Sequence, residues 1–361
     1  MNCKILLIFI LLVSVSCAKR EIPEPVPKDG SRVTLSFVSK TNDTKTFFDD
    51  KATTELWEQN IRTLEAMVFD GMGNLVVRHD FSIEEITARK ATFELPASVA
   101  QTACSFYAIA NLSLGKIASK AELLAEVEES CDEYNAPFEV VTSMAARQDG
   151  FVMTGFCSRT IAAGRTTEAS IVLERTVAKV AIRTSLSSEF SEMFPGSMRI
   201  QSARIEGTAS RTPLIRSTES SAENADFSFE QGSFSENETF DNLFYLFETS
   251  PSASGTTAYV VLKGIYDRDG DAETTADRYP VHYRIPLSGI IENKSIVRNG
   301  YYRIAVTLAD LSGEPADVVV AVCPWLTPGV QNYGLGQEEV CEGRMRQIGH
   351  FARSISEPEI E

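Results

Sequence analysis

The stretch EASIVLERTVAKVAIRTSL, residues 168–186, decides how the rest of the chain is read. It is strand-like in texture, with apolar residues in both of its halves. It is also too long for one strand, since strands usually run about 3–10 residues. We therefore read Ala169 to Leu173 as the closing strand of one domain and Val177 to Ile182 as the opening strand of the next. The chain on either side has the same texture. Towards the N-terminus, Val33, Leu35 and Phe37 alternate with Thr34 and Ser36, the period-2 pattern of a half-buried strand. LEAMVF (64–69) and LVV (75–77) flank Asp70 to Asn74, where Gly71, Gly73 and Asn74 can take the positive φ of a tight hairpin. ATFELP (91–96), SFYAIANL (105–112) and GFVMTGF (150–156) add strands. Towards the C-terminus come MRIQSARIEG, FSFEQGSF, AYVVLKGIY, RYPVHYRIPL, YYRIAVTL and DVVVAVCPW.

Many short strands punctuated by turns predict an all-β fold of two β-sandwiches in tandem. A few short helices are expected. The clearest covers ASKAELLAEVEES (118–130), with Leu123, Leu124 and Val127 on one face and Ser119 with Glu122 as a capping box. The Ser/Thr/Glu/Asn-rich stretch from Arg216 to Glu223 reads as a surface loop. No repeat of 20–50 residues occurs, which argues against a solenoid or propeller.

The first residues fix the compartment. Lys4, the apolar run Ile5 to Val13, small Ser14 and Ser16 and then Cys17 follow the layout of a secretory signal. The run is shorter than the roughly 20 apolar residues a membrane span needs. A cysteine after the small residues marks a bacterial lipoprotein, with Cys17 the lipidated residue; a plain secreted protein cut nearby is the alternative. The expected organisation is a signal over 1–17, a Pro-rich tether over 18–31, sandwiches over 32–175 and 176–333, and an extension over 334–361. That extension is charged and lacks strand alternation, which reads as a loose end.

Fifty acidic against 34 basic residues in 361 leave a net charge of −16, which argues against nucleic acid as a partner. Beyond Cys3 and Cys17, the cysteines Cys104, Cys131, Cys157, Cys323 and Cys341 are odd in number and lack zinc spacing. Buried thiols are a better reading than a disulfide framework. Of the histidines, His79 and His282 fall on polar positions of strands, where a solvent-facing ring is expected, and His350 has no Cys or His partner. No nucleophile elbow or phosphate loop is present, and no catalytic constellation or cofactor motif emerges. The sharpest metal candidate is DRDGDAE, where Asp267, Asp269, Asp271 and Glu273 alternate. Its glycine is fourth instead of sixth, and Arg278 stands where a calcium loop needs Glu, so a solvated hairpin loop is preferred. Trp57 and Trp325 read as packing anchors and not as sugar platforms.

The order of these motifs resembles the fimbrillin family, the pilin subunits of type V fimbriae in Bacteroidales. The resemblance is carried by Cys17, VTLSFV, SKTNDTKTFFDD, LEAMVFDGMGN, SFYAIANLS, FVMTG, LERTVAKVAIR, VRNGYYRIAVTL and VVVAVCPW, and spans roughly residues 1–333. It implies a lipoprotein of two transthyretin-like sandwiches, carried to the outer membrane and built into a fimbrium that supports adhesion. It further implies that a surface protease removes the N-terminal strand, here Val33, Leu35 and Phe37 with their neighbours, by cutting after Lys45 and before Thr46. A strand from the next subunit then fills the slot, and in relatives the C-terminal strands are the donors. Arginine is usual at the cut; lysine stands here. The partners implied are other fimbrial subunits, the membrane through the lipid, and the protease. A stalk subunit is preferred over an anchor or tip subunit. A surface lipoprotein that binds glycan or calcium without polymerising is the alternative of a different class.

Overall fold

The structure, a computed structural model, describes residues 31–38, 47–48, 55–216, 227–248, 258–271, 273–287, 296–313, 315, 317–324 and 346–347. Cys17, Lys45, Thr46, Trp325, Cys341, His350 and most of the Arg216–Glu223 loop lie outside the described residues.

In chain order the first half contains β1 (Ser31–Val38), β2 (Leu64–Phe69), β3 (Leu75–Asp80), β4 (Lys90–Leu95), β5 (Ala103–Ala110), β6 (Val127–Glu128), β7 (Met153–Thr160), β8 (Thr166–Val172) and β9 (Glu174–Arg175). The helices α1 (Ile83–Ala88), α2 (Lys120–Ala125) and α3 (Phe138–Val141) interrupt them. Two sheets result, one of order β4-β1-β8 and one of order β3-β2-β5-β7-β9, and their facing side chains form one core. β1 begins at Ser31, inside the stretch assigned to the tether.

The alternation expected of β1 recurs in β4 and β8, which bury every second residue. LEAMVF differs, being buried at all six positions. Leu64, Ala66 and Val68 face the three-stranded sheet. Met67 and Phe69 pack on the other side against Leu123, Leu214 and Ile215, so this strand is covered on both faces by other parts of the chain. The sheets approach closely at Gly155, where an added Cβ would lie 2.1 Å from the Val172 carbonyl oxygen. A side chain there would force β7 away from β8.

The second half contains β10 (Val177–Leu186), α4 (Ser188–Met193), β11 (Ser197–Thr208), β12 (Thr212–Pro213), β13 (Phe227–Gly232), β14 (Phe234–Glu236), β15 (Thr239–Phe247), β16 (Tyr259–Asp267), β17 (Arg278–Pro286), β18 (Gly300–Leu308), β19 (Asp317–Pro324) and β20 (Arg346–Gln347). Its sheets have orders β14-β15-β10-β18-β19-β20 and β13-β11-β16-β17. The fold is therefore all-β, two transthyretin-like sandwiches in tandem with a few short helices, as the sequence predicted. Of the extension, only Arg346–Gln347 are described, and they pair with Val320 and Val319 at the sheet edge.

The helix predicted over 118–130 is shorter, because Val127–Glu128 leave it to pair with Thr212–Pro213. Leu123 is buried, while Leu124 and Val127 are exposed. Half of the expected capping box forms: the Ser119 hydroxyl accepts from Glu122 N, but the Glu122 carboxylate reaches Ala118 N.

Candidate functional site

β1 occupies the centre of its sheet. It runs antiparallel to β4 and parallel to β8, so both of its hydrogen-bonding edges are taken. Val33, Leu35 and Phe37 are 0%, 1% and 4% exposed and point into the core. Leu35 is flanked by Ala91 and Ala169, a small-large-small row across the middle of the strand. Val33 lies between Phe93 and Thr167, and the Phe37 ring meets Phe81 edge-on at 5.8 Å. The Thr34 and Thr92 hydroxyls are 3.1 Å apart, and Ser36 Oγ donates to the Ala169 carbonyl at 3.3 Å. Arg32 and Glu94, 3.5 Å apart, form a surface pair that contributes little.

Taking β1 away would leave an apolar trough between two unpaired backbone edges, the arrangement that accepts an added strand. All three residues predicted for the displaced strand therefore sit in one slot.

Behind the slot, the chain after β1 crosses to the second sandwich. The Phe47 carbonyl accepts from the Tyr301 hydroxyl at 2.8 Å, and Arg183 lies over the rings of Phe47 and Phe48. A short 3-10 turn, Trp57–Gln59, then buries Glu58 completely. Its Oε1 accepts from Lys179 Nζ at 2.6 Å and from the Tyr245 hydroxyl at 3.0 Å, and its Oε2 from Glu55 N at 2.8 Å. Arg175 Nε donates to the Glu58 carbonyl and its Nη1 to Asn299 Oδ1, each at 3.0 Å. Burial draws the Arg175 guanidinium down to about 10 and pushes the Tyr245 phenol well above its ordinary value. Trp57 stacks on Phe151 at 6.1 Å and meets Tyr245 edge-on, the packing role expected of it.

A second joint surrounds Arg298, which donates to Glu248, Thr212, Pro213 and Leu214. Beside it, Tyr134 donates to Glu128, and burial raises both groups. Sequence reasoning missed these joints. The residues at 174–179, ERTVAK, place charged side chains beside apolar ones, and such charges read by default as solvated.

Of the other candidates, the acidic loop and His79 differ from expectation, whereas His282, Cys104 and Cys131 follow it. Asp267 and Asp269 come together with Asp277, not with Asp271. These carboxylates are engaged by the turn itself: Asp269 accepts from Asp271 N and Thr274, Asp277 from Asp269 N, and Asp267 from Gly270 N and Arg278. His79 is not simply solvent-facing, since its ring stacks on Phe93 at 4.7 Å and Nε2 lies 3.2 Å from Glu85. His282 is exposed. Cys104 and Cys131 are buried thiols, while Cys157 is half-buried.

No curated protein matches the chain in sequence. In fold it is similar to a candidate cell adhesion protein from Bacteroides eggerthii, with TM-score 0.56 and 14% identity over 83% of this chain and 98% of that one. It is similar also to the tip fimbrial protein Mfa3 from Porphyromonas gingivalis, with TM-score 0.52 and 14% identity over 82% of this chain and 100% of that one. A fimbrilin (FimA) from the same organism gives TM-score 0.52 and 16% identity over 82% and 97%. Residues 31–175, the sandwich that holds the β1 slot, match the family model of the major fimbrial subunit protein (FimA). Over that sandwich, the chain is similar to the FimA major fimbrial subunit family.

Proposed function

We propose that the chain is a non-enzymatic structural subunit of a cell-surface fimbrium, polymerised by exchange of the β1 strand for one from a neighbouring subunit. The observation that carries this reading is the place of β1: it is central in its sheet, buries Val33, Leu35 and Phe37 on its inner face and is the first described strand of the first sandwich. A strand so placed is essential to the core yet is joined to the rest of the sandwich only through its C-terminal connection. Lys40 and Lys45 lie in that connection, and a cut after Lys45 detaches the strand without breaking any other. We further propose export as a lipoprotein acylated at Cys17, attachment to the outer membrane before processing, and a boundary between the sandwiches at Thr176. The subunit then has other fimbrial subunits and a surface protease as partners.

Limited trypsin digestion of the purified precursor tests the reading. The expected result is a first cut near Lys45 followed by soluble oligomers on size-exclusion chromatography. Clean cleavage that leaves a stable monomer would count against strand exchange. The N-terminal sequence of subunits recovered from cells distinguishes a lipidated start at Cys17 from a processed start at Thr46.

A further inference from the structure

The β15 strand of the second sandwich has one edge that β14 covers only from Thr239 to Asp241. Beyond that point, among the described residues, two side-chain amides stand where a neighbouring strand would lie. Gln231 Oε1 accepts from Leu243 N at 2.9 Å, and its Nε2 donates to the Leu243 carbonyl at 3.0 Å. Two residues on, Asn135 Oδ1 accepts from Tyr245 N and its Nδ2 donates to the Tyr245 carbonyl, each at 2.9 Å. Each carboxamide thus reproduces the pair of N–H and C=O bonds that one residue exchanges with its partner in an antiparallel ladder. The second hydrogens of the two amides go to the carbonyls of Ala136, at 2.8 Å, and Cys131, at 2.9 Å. Both side chains are buried, Gln231 at 2% exposure and Asn135 at 7%. Phe138 of α3 stacks on Phe234 of β14 at 5.2 Å and holds the segment after Asn135 beside the same sheet.

We propose that Asn135 and Gln231 seal the β15 edge against a second copy of this chain, and so direct strand addition to the slot of β1. The role in assembly rests on the strand-exchange reading, whereas the seal itself does not involve β1. An open edge offers unpaired N–H and C=O groups to an extended segment of another molecule. The stretch behind this edge, NLFYLF at 242–247, is uncharged, lacks Pro and Gly and is rich in residues of high β-propensity, the composition of a strand that stacks on its own copies. β17, at an edge of the other sheet, carries Pro280 and Pro286, which have no N–H to offer. β15 has no proline, so its protection comes from outside the strand. Gln231 is supplied by β13 of the facing sheet and Asn135 by the first half of the chain. A strand from a second copy can pair with Leu243 and Tyr245 only after both carboxamides leave, and each would then lose bonds made in a buried site.

Analytical ultracentrifugation of the full, uncut chain over a concentration series, with deuterium uptake at Leu243 and Tyr245 followed by mass spectrometry, is the test. The wild type should stay monomeric and take up deuterium slowly at both amides. The double variant N135A/Q231A should speed that uptake by about tenfold or more, because both amides lose their buried partners, and should form oligomers that grow with concentration. N135A alone leaves Gln231 in place and should give both changes to a smaller degree, which keeps the test decisive if the double variant fails to fold. I200A empties part of the core of the same sandwich without touching either carboxamide, and should remain monomeric. Unchanged uptake in the folded variants, faster uptake without association, or equal association by I200A would overturn the seal. Oligomers of the uncut double variant, beside a processed wild type that stays monomeric, would keep the seal and remove strand exchange.

Discussion

Truncating Leu35 to Ala measures how firmly β1 is seated. Leu35 is 1% exposed and lies between Ala91 and Ala169, neither of which has atoms to spare for the space left behind. Buried Leu→Ala changes cost about 2–5 kcal/mol, with the larger losses where the site cannot collapse, so about 3–4 kcal/mol is expected here. For a sandwich of this size that corresponds to a fall in Tm of roughly 6–16 °C. Urea unfolding of the uncut chain, followed by circular dichroism and by fluorescence of Trp57, gives the number. Arg32→Ala on the same strand is the control. Its partner Glu94 is 63% exposed, so it should cost no more than about 1 kcal/mol. If Leu35→Ala proved no worse than Arg32→Ala, β1 would not be part of the folded core, and the slot would have no energetic meaning.

Glu58→Gln should destabilise the chain by about 3–5 kcal/mol, because Lys179 would keep a buried charge without its carboxylate; a calorimetric Tm unchanged within a degree or two would refute the role given to that joint. Burial pushes the Cys131 thiol from 9.0 up to about 12, so the folded state holds its proton more tightly than the unfolded one. The stability this gives is complete below pH 9 and is lost as pH rises towards about 12; Cys131→Ala should flatten the fall of the urea midpoint over that window. Calcium titrated into the protein should give neither heat nor a Tm shift, since the carboxylates of Asp267, Asp269 and Asp277 are engaged by turn amides, Thr274 and Arg278; tight binding abolished by Asp269→Ala would favour the calcium-binding reading.

What could be read from the sequence was whatever depends on local periodicity. The alternation of Val33, Leu35 and Phe37 named the strand and its inner face, and the long run at 168–186 named two successive strands, because each follows from the two-residue repeat of β structure. The parallel pairing of β1 with β8 was invisible. Its partners are more than 130 positions apart, and nothing in VTLSFV selects EASIV over another apolar strand. The contacts of Phe47 and Phe48 with Tyr301 and Arg183 were hidden for a related reason: the two rings follow a polar break and precede Asp49 and Asp50, a context that reads as surface. Glu58, Arg175 and Lys179 were illegible because burial of a charge depends on partners that converge only in three dimensions. The acidic loop misled in the opposite sense, since alternate spacing suggested Asp271 while the turn brings in Asp277.

A strand suited to exchange must meet conditions that seldom coincide. It must lie at one end of the folded chain, so that one cut frees it, and at the centre of a sheet, so that its loss exposes two edges. β1 meets both, whereas β4 and β8 flank it but are tied to the chain at both ends. The energetics then set the direction. Burying Val33, Leu35 and Phe37 contributes about 1.5–3 kcal/mol each, or roughly 5–9 kcal/mol together. That is comparable with the whole stability of a domain, about 5–15 kcal/mol. A sandwich deprived of β1 is left near the margin of folding, and any strand that restores the same burial and the same two ladders recovers most of the loss. In the proposed exchange, the stabilisation that held β1 within one subunit becomes the attraction between two. An incoming strand that antiparallels β4 and parallels β8, with a large apolar side chain between Ala91 and Ala169, fits the slot in the register β1 leaves behind.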